Sequence, residues 1–170
     1  MSIQYPYTED LTSPRTEALF VGLTLLGGAL AVWRGTVSGF DWLTLTLAGL
    51  AVFFGFYALN FRKLRIRLTP DALQLTFGVF TWRVQIGNIE ACRVDDVSLW
   101  RIGGAGIHFS PIQGRYRAMF NFLEYPRLVV LLRQGQGPVR AVAFSTRRVD
   151  ELRQRVLALV SPAGASGGAR

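Results

Sequence analysis

The chain has 170 residues with 19 Lys+Arg, 11 Asp+Glu, one His and one Cys, a net charge of +8, and 50% hydrophobic against 18% charged residues. A soluble domain carries about a quarter charged residues, so this balance points to a membrane component and excludes disorder as the main state. One Cys and one His leave no internal disulfide, no cysteine zinc cluster and almost none of the usual metal-ligand sets or hydrolytic triads.

Charge and hydropathy divide the chain at the same place. Residues 1–61 hold two basic and four acidic residues, a net −2, whereas residues 62–170 hold 17 basic and 7 acidic, a net +10. Residues 1–17 read as an N-terminal cytoplasmic tail. The first apolar run, Ala18–Trp33, spans roughly 24 Å as a helix, short of the roughly 30 Å hydrocarbon core. It crosses only if its ends snorkel or the bilayer thins. The second, Trp42–Phe61, has the full length of about 20 residues expected of a spanning helix. Between them RGTVSGFD is short and contains Gly35 and Gly39, which predicts a transmembrane helical hairpin over 18–61 with both ends on one side. No basic region precedes the first run, as a signal peptide requires, and apolar residues surround both segments, unlike a surface helix. Arg62, Lys63, Arg65 and Arg67 follow the second span while the inter-helix loop has only Arg34. The positive-inside rule then places a multi-pass protein in the cell membrane with both termini cytoplasmic, where Cys92 stays reduced.

From Leu64 the period changes to alternation. LRIRLT (Leu64–Thr69), the turn at Pro70–Asp71 and LQLTF (Leu73–Phe77) predict a hairpin. Val79–Ile86 follows as a strand rich in β-branched and aromatic residues, Gly87 and Asn88 break it, and Ile89–Val97 reads as the next strand. Four glycines between Gly103 and Gly114 punctuate a short strand near Ile107–Phe109 and an irregular loop. Arg117–Leu123 alternates again, and Arg127–Arg133 and Val139–Phe144 form a hairpin around Gly135–Gly137. Last, VDELRQRVLALV places Val149, Leu152, Val156 and Leu159 on one helical face, with Ser145–Thr146 as the cap and Asp150 and Glu151 in the first turn. Residues 161–170, SPAGASGGAR, read as a disordered tail. The expected fold is therefore membrane-anchored α+β: the hairpin, then over 62–160 an antiparallel sheet or barrel of about seven strands capped by a C-terminal helix.

The opening LRIRLTPDALQLTFG, the following FTWRVQIGNIEACRV, the central GGAGIH and the closing VVLLRQGQGPVRAVAFSTRRVDEL together resemble the bacterial pleckstrin-homology-like (PH-like) family, in the variety where two transmembrane helices precede the domain. The resemblance spans about residues 18–160. It implies a PH-like barrel held at a membrane and carries over no set of active residues, since fold does not fix function.

Two groups of residues are candidate sites. Arg62, Lys63, Arg65 and Arg67 can meet anionic lipid head groups, each near-surface charge contributing about 1 kcal/mol, or serve only as a topological anchor. His108, Arg115 and Arg117 can meet a phosphate or carboxylate, against the plainer reading of a hydrogen-bonded structural His. Gly104–Gly106 lacks the third glycine and the following helix of a dinucleotide site. Asp95 and Asp96 are adjacent, so in a strand they point to opposite faces and cannot pair as acid and base. Phe77, Phe80, Trp82, Phe120 and Phe122 suit base stacking, but membrane proximity accounts for the charge and no nucleic acid is expected. Cys92 reads as a buried small hydrophobe. The expected function is non-enzymatic, without cofactor or metal: a cytoplasmic PH-like domain at the inner leaflet binding lipid head groups, a peptide, a protein partner or a second copy. The alternative is an accessory subunit of a membrane enzyme or transporter complex.

Overall fold

The computed structural model describes residues 7–98, 101 and 104–160; the expected tail at 161–170 lies outside them. Within the stretch expected to be an N-terminal tail, Tyr7–Thr12 is a strand, β1, with Tyr7, Glu9 and Leu11 buried and Thr8, Asp10 and Thr12 exposed. Ser13 then caps α1 (Pro14–Ser38), its hydroxyl accepting from the Thr16 amide at 3.1 Å, with Pro14 in the first turn where a missing N–H costs nothing. At 25 residues α1 extends roughly 37 Å. That is longer than the apolar run inside it, Ala18–Trp33, and the added turns carry the polar residues Arg15, Thr16, Glu17, Arg34 and Thr36. Asp41 caps α2 (Trp42–Asn60) by accepting from the Thr44 amide, and also pairs with Arg34 at 2.6 Å to close the inter-helix turn.

The two helices pack through small residues. A side-chain carbon on Gly27 would meet Ala51 at 3.4 Å, one on Gly55 would meet Thr24 at 3.5 Å, and one on Gly35 would meet Thr44 at 3.6 Å. Close backbone approach of this kind associates helices where no hydrophobic drive exists between them. Elsewhere the hairpin leaves apolar side chains uncovered, including Leu25, Val32, Trp33, Trp42 and Val52, and both helices are long and apolar enough to cross a membrane.

After α2 come β2 (Lys63–Leu68), β3 (Ala72–Phe77) and β4 (Phe80–Gln85), which with β1 form a four-stranded antiparallel sheet in the order β1-β2-β3-β4. β1 and β2 pair from Tyr7↔Leu68 to Thr12↔Lys63. The helical hairpin thus occupies the connection between two adjacent antiparallel strands, and both of its ends necessarily emerge on one side. A single 3₁₀ turn (Ile86–Asn88) leads into β5 (Ile89–Val94), followed by β6 (Gly106–Ile112), β7 (Arg115–Asn121), β8 (Arg127–Gln136) and β9 (Val139–Ser145). These form a second sheet in the order β5-β8-β9-β7-β6, in which β7 and β9 run parallel. The described residues therefore contain nine strands rather than about seven, in two sheets that do not close into a barrel, and one pair departs from the expected antiparallel pattern.

The main core lies between the sheets, from Leu64, Ile66, Leu75 and Phe77 on one side to Phe120, Phe122, Val130 and Phe144 on the other. The C-terminal helix α3 (Val149–Val160) buries Leu152 and Val156 in that core and packs on β5, the 3₁₀ turn and β8. Its first turn is held by β1. The buried Glu9 carboxylate accepts from the Thr146 hydroxyl at 2.6 Å, the Arg147 amide at 2.9 Å and the Tyr7 hydroxyl at 2.8 Å. Arg148 and Arg155 lie over the Tyr7 ring. Burial and the Glu9 carboxylate together push the Tyr7 phenol well above its usual range.

Candidate functional site

Alternation in β2 sends Leu64, Ile66 and Leu68 into the core and Lys63, Arg65 and Arg67 to the outer face. Arg62 precedes the strand. The structure adds two kinds of neighbour to this expected cluster. Acidic residues from before the hairpin reach it, Arg62 pairing with Glu17 at 2.8 Å, and Lys63 and Arg65 with Asp10 at 2.7 and 3.0 Å. Those cations, led by the Lys63 hydrogen bond, hold the Asp10 carboxyl below the usual carboxylate range. Strand pairing also brings in Arg83, which shares a row with Gln74 and Arg67. Because exposed ion pairs are screened by water, the outer face retains its excess of positive charge: Arg62, Lys63, Arg65, Arg67 and Arg83 against Asp10 and Glu17. A small cleft of about 200 Å³ lies among Leu59, Asn60, Arg62, Lys63, Arg65 and Thr76, beside the end of α2.

His108, Arg115 and Arg117 do not form one pocket. They share a face of the β6–β7 hairpin, but His108 stands opposite Met119 and Arg115 opposite Ile112, four positions along the strand or roughly 13 Å away. Each has its own partner. His108 donates through Nε2 to the Ala105 carbonyl at 2.6 Å, and Arg115 pairs with the Glu90 carboxylate at 3.1 Å. Arg117 is fully buried, with one nitrogen on Asp95 at 3.1 Å and another on Gln113 at 2.7 Å. Arg127 completes this group, pairing with Asp95 at 3.1 Å and donating to the Val97 carbonyl. Desolvated charges persist only when paired and hydrogen-bonded. The Arg117–Asp95–Arg127 group therefore fixes the chain after β5 against the second sheet.

A largely apolar cavity lies elsewhere. β4 and β6 are the edge strands of their two sheets and pair with no further strand among the described residues. Between them and the last turn of α2 is a cavity of about 470 Å³ lined by Tyr57, Phe61, Phe80, Thr81, Trp82, Ile107, Phe109 and Phe120. Its rings are mutually packed: Tyr57 to Phe61 at 4.5 Å, Phe61 to Phe80 at 6.0 Å, and Trp82 to Phe109 and Phe120 at 6.2 and 6.3 Å between centroids. Among the described residues, none that lines it is charged. Two glycines permit this junction. At Gly78, in the β3–β4 turn with φ +59, a side-chain carbon would overlap the Asn60 carbonyl at the end of α2, and at Gly106 the backbone, with φ +105, adopts a conformation that favours glycine beside the Tyr57 ring. The aromatic set noted in the sequence contained Phe80, Trp82 and Phe120. Tyr57, Phe61, Ile107 and Phe109 join them only through the meeting of α2, β4 and β6.

No protein-family model matches the chain, and neither a curated protein nor a solved structure is significantly similar to it.

Proposed function

We propose that this chain is a non-enzymatic membrane protein with a PH-like cytoplasmic domain, anchored by its helical hairpin in the cell membrane and binding anionic lipid head groups at the inner leaflet. The observation that carries the reading is the registered β1–β2 pair on either side of the hairpin. It ties the basic face to the end of the hairpin, where an anionic leaflet would attract Lys and Arg over about a Debye length, roughly 8–10 Å. The far turn holds an Arg34–Asp41 ion pair and no excess charge, in keeping with the positive-inside rule. Two sheets around one core with a C-terminal helix fit the outline of a PH-like domain. The reactive side chains argue for binding over catalysis. The one His is engaged with a backbone carbonyl, and burial pushes the Cys92 thiol up to about 11, leaving it without nucleophilic character.

The test uses the full chain. A reporter fused after Arg170 that is active only outside the cytoplasm should remain silent. Full-length protein in nanodiscs with equal neutral and anionic phospholipid should retain the anionic lipid preferentially on detergent extraction, and Arg65→Glu with Arg67→Glu and Arg83→Glu should remove the preference. An active reporter defeats the topology, and equal retention of both lipids defeats the head-group role.

A further inference from the structure

We infer that the open seam between β4 and β6 binds one acyl chain of a membrane phospholipid, drawn from the leaflet beside α2. The inference rests on the membrane placement proposed above. The volume of about 470 Å³ falls within the roughly 300–1,000 Å³ of small-ligand sites. Its wall is aromatic and aliphatic apart from the Tyr57 and Thr81 hydroxyls and the Trp82 indole N–H, and it offers no charged side chain among the described residues, so a charged head group or peptide side chain entering it would be desolvated without a counter-charge. A hydrocarbon chain loses nothing there.

The position of the cavity selects the source. Tyr57 and Phe61 belong to the end of α2, so the cavity continues the surface on which Phe53, Phe56 and Leu59 are exposed, Leu59 at 73%. In a spanning helix those residues face lipid. Phe80 and Phe109 form the rim at 49% and 48% exposure, at the depth where aromatic rings sit in a bilayer interface. The basic outer face lies on the other side of the β3–β4 turn, next to the same last turn of α2. One lipid then presents its phosphate to Arg62, Lys63 and Arg65 while a chain bends into the seam.

Full-length protein reconstituted with a phosphatidylglycerol probe carrying a diazirine on the acyl chain is irradiated, digested and mapped by mass spectrometry, alongside a probe with the diazirine on the head group. Acyl adducts are expected on Phe80–Trp82 and Ile107–Phe109. Phe109→Asp puts an unpaired charge at the rim and should reduce them by about tenfold or more with the melting temperature unchanged, and Ile107→Trp should do the same by filling the space. Acyl adducts confined to α1 and α2, adducts indifferent to both substitutions, or crosslinks at the seam joining two copies of the chain would each overturn the inference. The head-group probe separates the two claims. Head-group adducts near Arg65 without seam adducts leave the basic-face reading standing, whereas loss of both removes that reading as well.

Discussion

Along the β1 and β5 side of the domain, α3 lays Leu152 and Val156 into the core and is fastened at its first turn by Glu9 of β1, whereas along the β4 and β6 side no element among the described residues covers the gap and the aromatic cavity remains. The same two sheets therefore have one seam plugged by their own chain and one left apolar and open beside the end of α2. The plugged seam combines buried area with a satisfied carboxylate, and each adds stability. The open seam retains half-exposed Phe80 and Phe109. Stability is thus concentrated on one side, and the acyl-chain site proposed above lies on the other.

The largest expected effect separates the seams directly. Leu152→Ala should cost about 2–5 kcal/mol through the cavity it leaves, while Phe109→Ala should cost no more than about 1 kcal/mol. Thermal unfolding of the full chain in detergent checks this, and equal losses would abolish the distinction. Alkaline pH should loosen the plugged seam next. Cys92 on β5, where α3 packs, has its thiol raised by burial from 9.0 to about 11. A raised folded value gives stability that is complete below the unfolded value and is lost as pH rises through the folded one. Unfolding free energy should fall between about pH 9 and 11 by roughly 2–3 kcal/mol. Cys92→Ala should flatten the lower part of that window, between about pH 9 and 10, whereas from about pH 10 upward the Tyr7 phenol, raised in the same direction from 10.0, continues the loss.

Glu9→Ala should cost about 1–3 kcal/mol by orphaning the Thr146 and Tyr7 hydroxyls and the Arg147 amide. Amide hydrogen exchange should quicken in α3 before it does in β7 and β9; uniform acceleration would mean that Glu9 does not fasten this seam in particular. The smallest stability effect belongs to the outer face. Asp10→Asn removes exposed pairs with Lys63 and Arg65 and should change stability by less than about 1 kcal/mol. It also frees positive charge, so retention of anionic lipid should rise, and unchanged retention would count against a head-group role for this face.

Local sequence pattern settled those parts of the protein whose cause is local. Uncharged runs gave the helical hairpin, alternation gave β2 and β3, an apolar run and the Gly135–Gly137 turn gave β8 and β9, and a stripe of Val149, Leu152, Val156 and Leu159 gave α3 and its buried face. The N-terminal strand escaped notice because Glu9 occupies a buried position, and its partner Thr146 is 137 residues away. Arg117 looked like a ligand-facing cation for the same kind of reason. Only the return of Asp95 and Gln113 to its side chain accounts for its burial. The parallel β7–β9 pair and the open seam were decided by the tertiary structure alone. Periodicity reports which face of an element is apolar, but the order of strands and the meeting of Tyr57 with Phe80 and Phe109 depend on contacts between segments far apart in the chain.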